Sequence, residues 1–247
     1  MIGSLISTSI IILTAGQLDY LKKCLKSIFD HTTNCEVIIV INGYYPDTVK
    51  YLKSLGWADL KLLMPGKNLG FPKGCNIGAK FAKCKYLCFL NDDTIVTPGW
   101  LDNMLACFNK HVDCGMVGPS TCYSRGEQCS TVLMSERFKM SEANILAYAS
   151  NLPEGEFKTE LYGFCMLIRK DLFKKVDGFY EGYGLGSYEE NDLQLRFKKL
   201  GYFSYWVRNS YVHHYGHVTY EGLGINIGEL VNKNKPIFER RKIDIRI

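Results

Sequence analysis

Apolar positions along the chain fall into two alternating rhythms. Residues 9–14 (SIIILT) form an apolar run, and Leu18, Leu21, Leu25, Ile28 and Phe29 then recur at helical spacing, which predicts a buried strand followed by a helix with one apolar face. The rhythm repeats. EVIIVI at 36–41 runs into the turn-forming pair Asn42-Gly43, and 47–55 is helical in spacing. A strand at 60–64, a helix at 72–83 with proline in its first turn, and a strand at 86–90 (YLCFL) follow. Four strand–helix units in a row predict a mostly parallel, Rossmann-like α/β sheet flanked by helices. A helix at 98–109 and a short strand at 115–118 continue the order. Residues 119–158 lose periodicity and become polar, which predicts an irregular insertion or lid. Order returns with a strand at 161–169, a helix at 171–176, a glycine- and tyrosine-rich loop to Tyr188 and a helix at 189–200. The stretch after Gly228 is basic and partly helical in pattern.

The chain has 247 residues, 47% of them hydrophobic, which suits one large domain better than two small ones. Its net charge of +5 comes from 30 basic and 25 acidic residues that are interleaved along the chain, so a nucleic-acid partner is not expected. Ten cysteines without a CxxC pair read as reduced thiols of a cytoplasmic protein. The apolar stretch at 2–13 is broken by Ser4, Ser7, Thr8 and Ser9 and is shorter than the ~20 residues that span a bilayer. It reads as a buried strand.

Parallel sheets bind ligands beyond the carboxyl ends of their strands, which directs attention to 14–16, 41–43 and 91–94. There Asn91-Asp92-Asp93 follows a fully apolar strand. Hard oxygen ligands at such a position suit Mg²⁺ or Mn²⁺, although a solvated turn with a capping aspartate would also explain NDD taken alone. Downstream, Glu189, Glu190 and Asp192 crowd the start of a helix. The helix dipole accounts for one or two acidic residues there but not for three, and one of them could be a general base. His213, His214 and His217 form a third cluster, read as a loop with a ligand or acid–base role.

In this order and spacing the segments resemble the inverting glycosyltransferases of family 2, enzymes of the GT-A fold, in the manner of rhamnosyl- and N-acetylglucosaminyltransferases. The segments are SIIILT, EVIIVING (36–43), NLGFPKGCNIGA (68–79), LNDDTIVTPGWL (90–101), GFCMLIRKDLFKKVDGF (163–179), YEENDLQLRFKKLGY (188–202) and VHHYGHVT (212–219). The resemblance implies transfer of a sugar from a nucleoside diphosphate donor (UDP, dTDP or GDP sugar) to an acceptor hydroxyl of a glycan, a lipid-linked intermediate or a protein, with Mn²⁺ or Mg²⁺ as cofactor. It implies a metal held by Asp93 and His214, and Glu190 as catalytic base, where the family more often has aspartate. It implies nucleotide-sugar contacts from Thr14, Asn42, Asn68, Gly70, Gly74, Asn76, Asn91, Asp92 and Asp93. The family often has an aspartate at the end of the second strand to contact the base. Here Ile41 is followed by Asn42, the candidate substitute.

A single domain with three parts is therefore expected: a nucleotide-sugar half at 1–118, an acceptor and catalytic half at 119–228, and a basic tail at 229–247. Lys233, Lys235, Arg240, Arg241 and Lys242 in the tail raise the prospect of peripheral contact with the inner face of a membrane. Tyr183 and Tyr188 are candidates to stack on sugar faces, and the loop 180–187 to close over the site. Two rivals are a nucleotidyltransferase, which would want a cation in the Thr14–Gln17 turn, and a non-catalytic sugar-nucleotide-binding module.

Overall fold

A computed structural model describes residues 7–129 and 135–246. Strand β1 (Thr8–Thr14) alternates its side chains between two apolar layers. Ile10 and Ile12 face helix α1 (Leu18–His31), packing with Leu21, Leu25 and Ile28. Ile11 faces the other way, toward helix α3 (Phe71–Phe81), with Cys75 and Ala79. Strand β2 (Cys35–Ile41) divides likewise, Val37 and Ile39 on one side and Ile38 on the other. Strands buried on both faces read as continuous apolar runs, which is why the patterning there marked them so clearly.

Helix α2 (Pro46–Ser54) leads to the edge strand β3 (Leu60–Leu63), and α3 leads to β4 (Tyr86–Asn91). These four strands are parallel, in the order β3-β2-β1-β4. A short β5 (Thr94–Val96), helix α4 (Trp100–Lys110) and β6 (Cys114–Ser120) follow, then helix α5 (Glu142–Ser150), β7 (Glu156–Lys158) and β8 (Cys165–Arg169). Helices α6 (Lys170–Lys175) and α7 (Glu189–Lys199), strand β9 (Phe203–His214), and helices α8 (Val218–Gly222) and α9 (Ile227–Arg246) complete the chain. The sheet continues β4-β8-β6-β9-β5, with β7 on β9. Strand β8 runs antiparallel to both neighbours, so this half of the sheet is mixed.

Two expectations change. The span 119–158 contains α5 and β7 rather than only irregular chain. Helix α5 starts at an N-cap in which Ser141 accepts from the Asn144 amide, but it buries only Ile145, too little to leave a periodic trace. His213 and His214 lie in a strand, not a loop. Strand β9 hides because its register with β6 jumps between Val207 and Tyr211, and the polar residues between them break its alternation. Their polar groups are nonetheless satisfied: Arg208 donates to the carbonyls of Pro153 and Glu154, and Ser210 to that of Trp100. The stretch proposed as a buried strand from residue 2 lies outside the described residues as far as residue 6.

The ten cysteines are unpaired thiols, all buried except the partly buried Cys129. Among the described residues no helix is long and apolar enough to cross a membrane.

Candidate active site

A cavity of about 450 Å³ opens beyond the carboxyl ends of β1, β2 and β4. Its floor is the turn between β4 and β5. The Asn91 amide donates to the Phe164 carbonyl at 2.9 Å, and the Thr94 hydroxyl donates back to the Asn91 carbonyl at 2.7 Å. This pins both ends of the turn that carries Asp92 and Asp93.

Strand β9 pairs with β5 so that His214 lies opposite Thr94. His214 Nδ1 lies 2.8 Å from the Tyr123 carbonyl, an acceptor only, so Nδ1 carries a proton and Nε2 faces Asp93, 3.3 Å from its Oδ1. Phe164 stacks on the imidazole at 5.2 Å and fixes its plane. Burial works against both charges, yet each partner outweighs it: the Asp93 carboxyl is held below its ordinary range and the His214 imidazole above its own. His213 points to the opposite side of the strand, toward the Arg137 carbonyl at 2.8 Å and the Cys122 thiol at 3.3 Å. Burial lowers its pKa to about 4. Asp92 is 3% exposed, and burial together with the neighbouring Asp93 charge pushes it to about 7 although Thr14 and Thr219 pull the other way. Its Oδ1 accepts from the Thr219 hydroxyl at 3.3 Å, and its Oδ2 has no protein partner.

Across the cavity stands the first turn of α7. The Tyr188 carbonyl accepts from the Asp192 amide, and Gln194 clamps the helix to Leu161 by bonding both its amide and its carbonyl. Glu190 is partly exposed to the cavity. Burial raises its pKa, opposed by Arg125 and the Gly163 amide. Glu189 is 6% exposed and its Oε2 has no protein partner. Burial and the neighbouring Glu190 push its carboxyl well above the ordinary range. Asp192 turns away and is wholly buried between Arg196, 2.6 Å away, and Arg241 of α9.

The third wall joins Asn42, Asn68 and Gly70. Asn42 donates to Asn68 Oδ1 at 2.9 Å and accepts from the Leu69 amide at 2.8 Å, and Asn68 also accepts from the Gly70 amide. Gly70 has φ +80, and a Cβ there would stand 1.9 Å from the Gly184 carbonyl oxygen, so only glycine lets these two loops pass.

Of the residues named from sequence for nucleotide contact, Asn42, Asn68, Gly70, Asn91, Asp92 and Asp93 line this cavity, as do Glu190 and His214. Thr14 lies beneath the floor, wholly buried beside Asp92. Gly74 and Asn76 need correction, because neither lines the cavity. A Cβ on Gly74 would stand 2.3 Å from Leu13 Cδ1, so this glycine seats α3 on β1. Asn76 bonds the amide and carbonyl of Phe179 and anchors the loop that follows α6. Tyr183 is a packing group, 1% exposed with its hydroxyl on Asp192, whereas Tyr188 stacks on Phe238 and also lines the cavity. Sequence reasoning missed Tyr123 and Arg125, which lie in the aperiodic stretch and carry no local signal, and it did not use His217, which lines the same cavity.

The family model described as Glycosyl transferase family 2 matches residues 9–177. Among solved structures, the fold is similar to GalNAc-T7 with UDP, GalNAc and Mn²⁺ (TM-score 0.66, 15% identity, 86% of this chain and 44% of that one). It is also similar to the mannosyltransferase PcManGT from Pyrobaculum calidifontis in complex with GDP-Man and Mn²⁺ (TM-score 0.63, 13% identity, 86% and 57%). TarS 1–349 of S. aureus aligns with TM-score 0.60 and 16% identity over 88% of this chain and 63% of that one. Among curated sequences, an uncharacterized protein of Sinorhizobium fredii is 24% identical over 220 residues, 84% of this chain and 24% of its own length. One of Mycobacterium tuberculosis is 27% identical over 165 residues, 63% and 57%. The chain thus spans about a quarter to just over half of the curated relatives it matches.

Proposed function

The chain belongs to glycosyl transferase family 2 and has the GT-A fold, and from that premise we propose that it transfers a sugar from a nucleoside diphosphate donor to an acceptor hydroxyl with inversion. One observation carries the proposal: the Asp93–His214 pair and the partly exposed Glu190 line the same cavity.

The nucleoside would lie along Asn42, Asn68 and Gly70. Asn42 keeps one N–H and one lone pair beyond its bonds to Asn68 and Leu69, enough to contact a base edge. The diphosphate would lie at Asp93 and His214. Those two residues fit a divalent ion, because the Nδ1 proton is bound by the Tyr123 carbonyl and Nε2, once an ion displaces its proton, presents its lone pair beside an ionised carboxylate. Mn²⁺ or Mg²⁺ held there would neutralise charge on the departing diphosphate.

On the acceptor side, Glu190 takes the hydroxyl proton as the new C–O bond forms at the anomeric carbon and the bond to the diphosphate breaks on the opposite face. Its raised pKa makes it a stronger base than an exposed glutamate. Glu189 and Asp192 are placed for other work, the first buried without a partner and the second paired twice.

The test is a donor screen. UDP, dTDP and GDP sugars are incubated with Mn²⁺, and release of nucleoside diphosphate is measured for the wild type and Glu190→Gln. The expected result is release from one donor class, reduced roughly 10²- to 10⁴-fold in the variant with donor affinity retained. Because a base must be ionised, wild-type turnover should fall with acid at a pH above the ordinary glutamate value of 4.5. Equal turnover in Glu190→Gln, or a greater loss in Glu189→Gln at unchanged donor affinity, overturns the assignment.

A further inference from the structure

At the opposite end of the sheet from the cavity, the last turn of α4 and the first residues of β6 and β7 bring together a second set of ligand-type side chains. Cys107 and His111 are four residues apart and so share a helix face. The His111 amide donates to the Cys107 carbonyl, and the Cys114 amide to the His111 carbonyl, folding the segment into a tight turn. Strand β7 pairs with β9 with Glu156 opposite Val207, which delivers the glutamate from a segment more than forty residues downstream. The Cys107 sulfur, a His111 ring nitrogen and a Glu156 oxygen all lie within 4.8 Å of one another. Cys114, whose sulfur lies 3.7 Å from the Met116 carbonyl, stands outside this group.

The surroundings hold these groups in place. The His111 ring stacks on Tyr205 at 4.3 Å, and its Nε2 points at Glu156 Oε2, 2.6 Å away. The other carboxylate oxygen is taken by Lys110 at 2.7 Å, which orients the group and keeps Oε2 turned toward His111. Cys107 and Cys114 are 0% and 1% exposed, whereas the adjoining Val112 is 92% exposed, so the cluster lies just beneath the surface.

The geometry points to a zinc site formed by Cys107, His111 and Glu156, independent of the sugar-transfer reading. Tetrahedral Zn²⁺ with bonds of about 2.0–2.3 Å separates its ligand atoms by roughly 3.3–3.8 Å, so small side-chain rotations close this cluster around an ion. A thiol, an imidazole and a carboxylate form a borderline set that favours Zn²⁺ over Mn²⁺ or Mg²⁺, the reverse of the preference at Asp93. Three protein ligands leave the fourth position of the tetrahedron to water. Binding would release the Cys107 thiol proton and tie β7 to the end of α4.

Cobalt(II) reports the ligand set directly. The full chain, stripped with a chelator and titrated with Co²⁺, should take up one equivalent with the near-ultraviolet absorption of thiolate-to-cobalt charge transfer. Zn²⁺ should abolish the band, whereas Mn²⁺ should not. Cys107→Ser should lose the band, and His111→Gln, an altered ligand nearer the surface, should bind Co²⁺ at least tenfold more weakly while keeping its far-ultraviolet dichroism. Asp93→Asn should keep the band. The site is disproved by absence of charge transfer in the wild type, by a folded His111→Gln that binds cobalt with unchanged affinity, or by loss of the band in Asp93→Asn.

Discussion

His213 and His214 are adjacent in sequence and opposite in role. His214 presents Nε2 to the cavity beside Asp93, whereas His213 hydrogen-bonds inward to the Arg137 carbonyl. Calorimetric titration of a nucleoside diphosphate should show tighter binding with Mn²⁺ than with EDTA in the wild type, and no such difference in His214→Ala. His213→Ala should keep the metal effect and instead lower stability by about 1–3 kcal/mol, as loss of a buried hydrogen-bonding partner does. Glu189 poses the opposite case, a buried carboxylate whose Oε2 has no protein partner. Its folded pKa is raised above 4.5, so the native state binds its proton more tightly than the unfolded chain does. Stability therefore falls as pH rises from about 4.5 through the folded pKa and stays lower above it. Glu189→Gln should accordingly be more stable than the wild type at neutral pH by about 1–3 kcal/mol, and the gain should vanish at acid pH. Thermal melts of both proteins across pH measure this at roughly 2–4 °C per kcal/mol for a chain of this size, and an equal gain at all pH values would refute the linkage.

Helix α9 holds the loop that leads into α7. Asn234, 1% exposed, donates to the carbonyls of Tyr183 and Gly186, and Phe238 stacks on Tyr188. Arg241 covers the Tyr180 ring at 3.6 Å and bonds Asp192. These contacts tie the loop to α9, and Ser187 and Tyr188 have positive φ values of 77° and 74° there. Arg241→Ala should raise hydrogen exchange across 180–190 and lower the transfer rate more than donor affinity. Unchanged exchange there would mean that α9 only covers the loop. This use of Arg241 also removes one of the five basic residues offered earlier to a membrane surface. Strands β1, β2 and β4 and helices α1, α3 and α4 were legible because each buries an apolar face, whereas the three-residue β5 was not. In contrast, α5, β7 and β9 rest on single anchors or a broken register. The acidic members of the site were legible as clusters in sequence, but Tyr123 and Arg125 reach it only because the 121–129 segment folds back over β9, a tertiary event with no local pattern. Gly74 and Asn76 belong to a motif that does two jobs, and sequence does not separate the residues that seat the helix from those that face the cavity.

The proposed division near residue 118 runs through the middle of one sheet. Strand β8, from the second part, sits between β4 and β6 of the first. The two parts therefore share a core, and denaturant unfolding should be a single transition, with tryptophan fluorescence coinciding with far-ultraviolet dichroism. Trp57 lies beside the β3 edge and Trp206 in β9, so the fluorescence samples both ends of the sheet. Separate transitions would show that the halves are independent. The wedged position of β8 also imposes an order in time on a chain that emerges from the ribosome amino end first. Strand β4, apolar from Tyr86 to Leu90, is complete long before its partner, because roughly 75 residues separate Asn91 from Cys165. At about 5–20 residues per second that is a wait of roughly 4–15 s, during which the nascent chain carries an open, apolar strand edge able to pair with any neighbour.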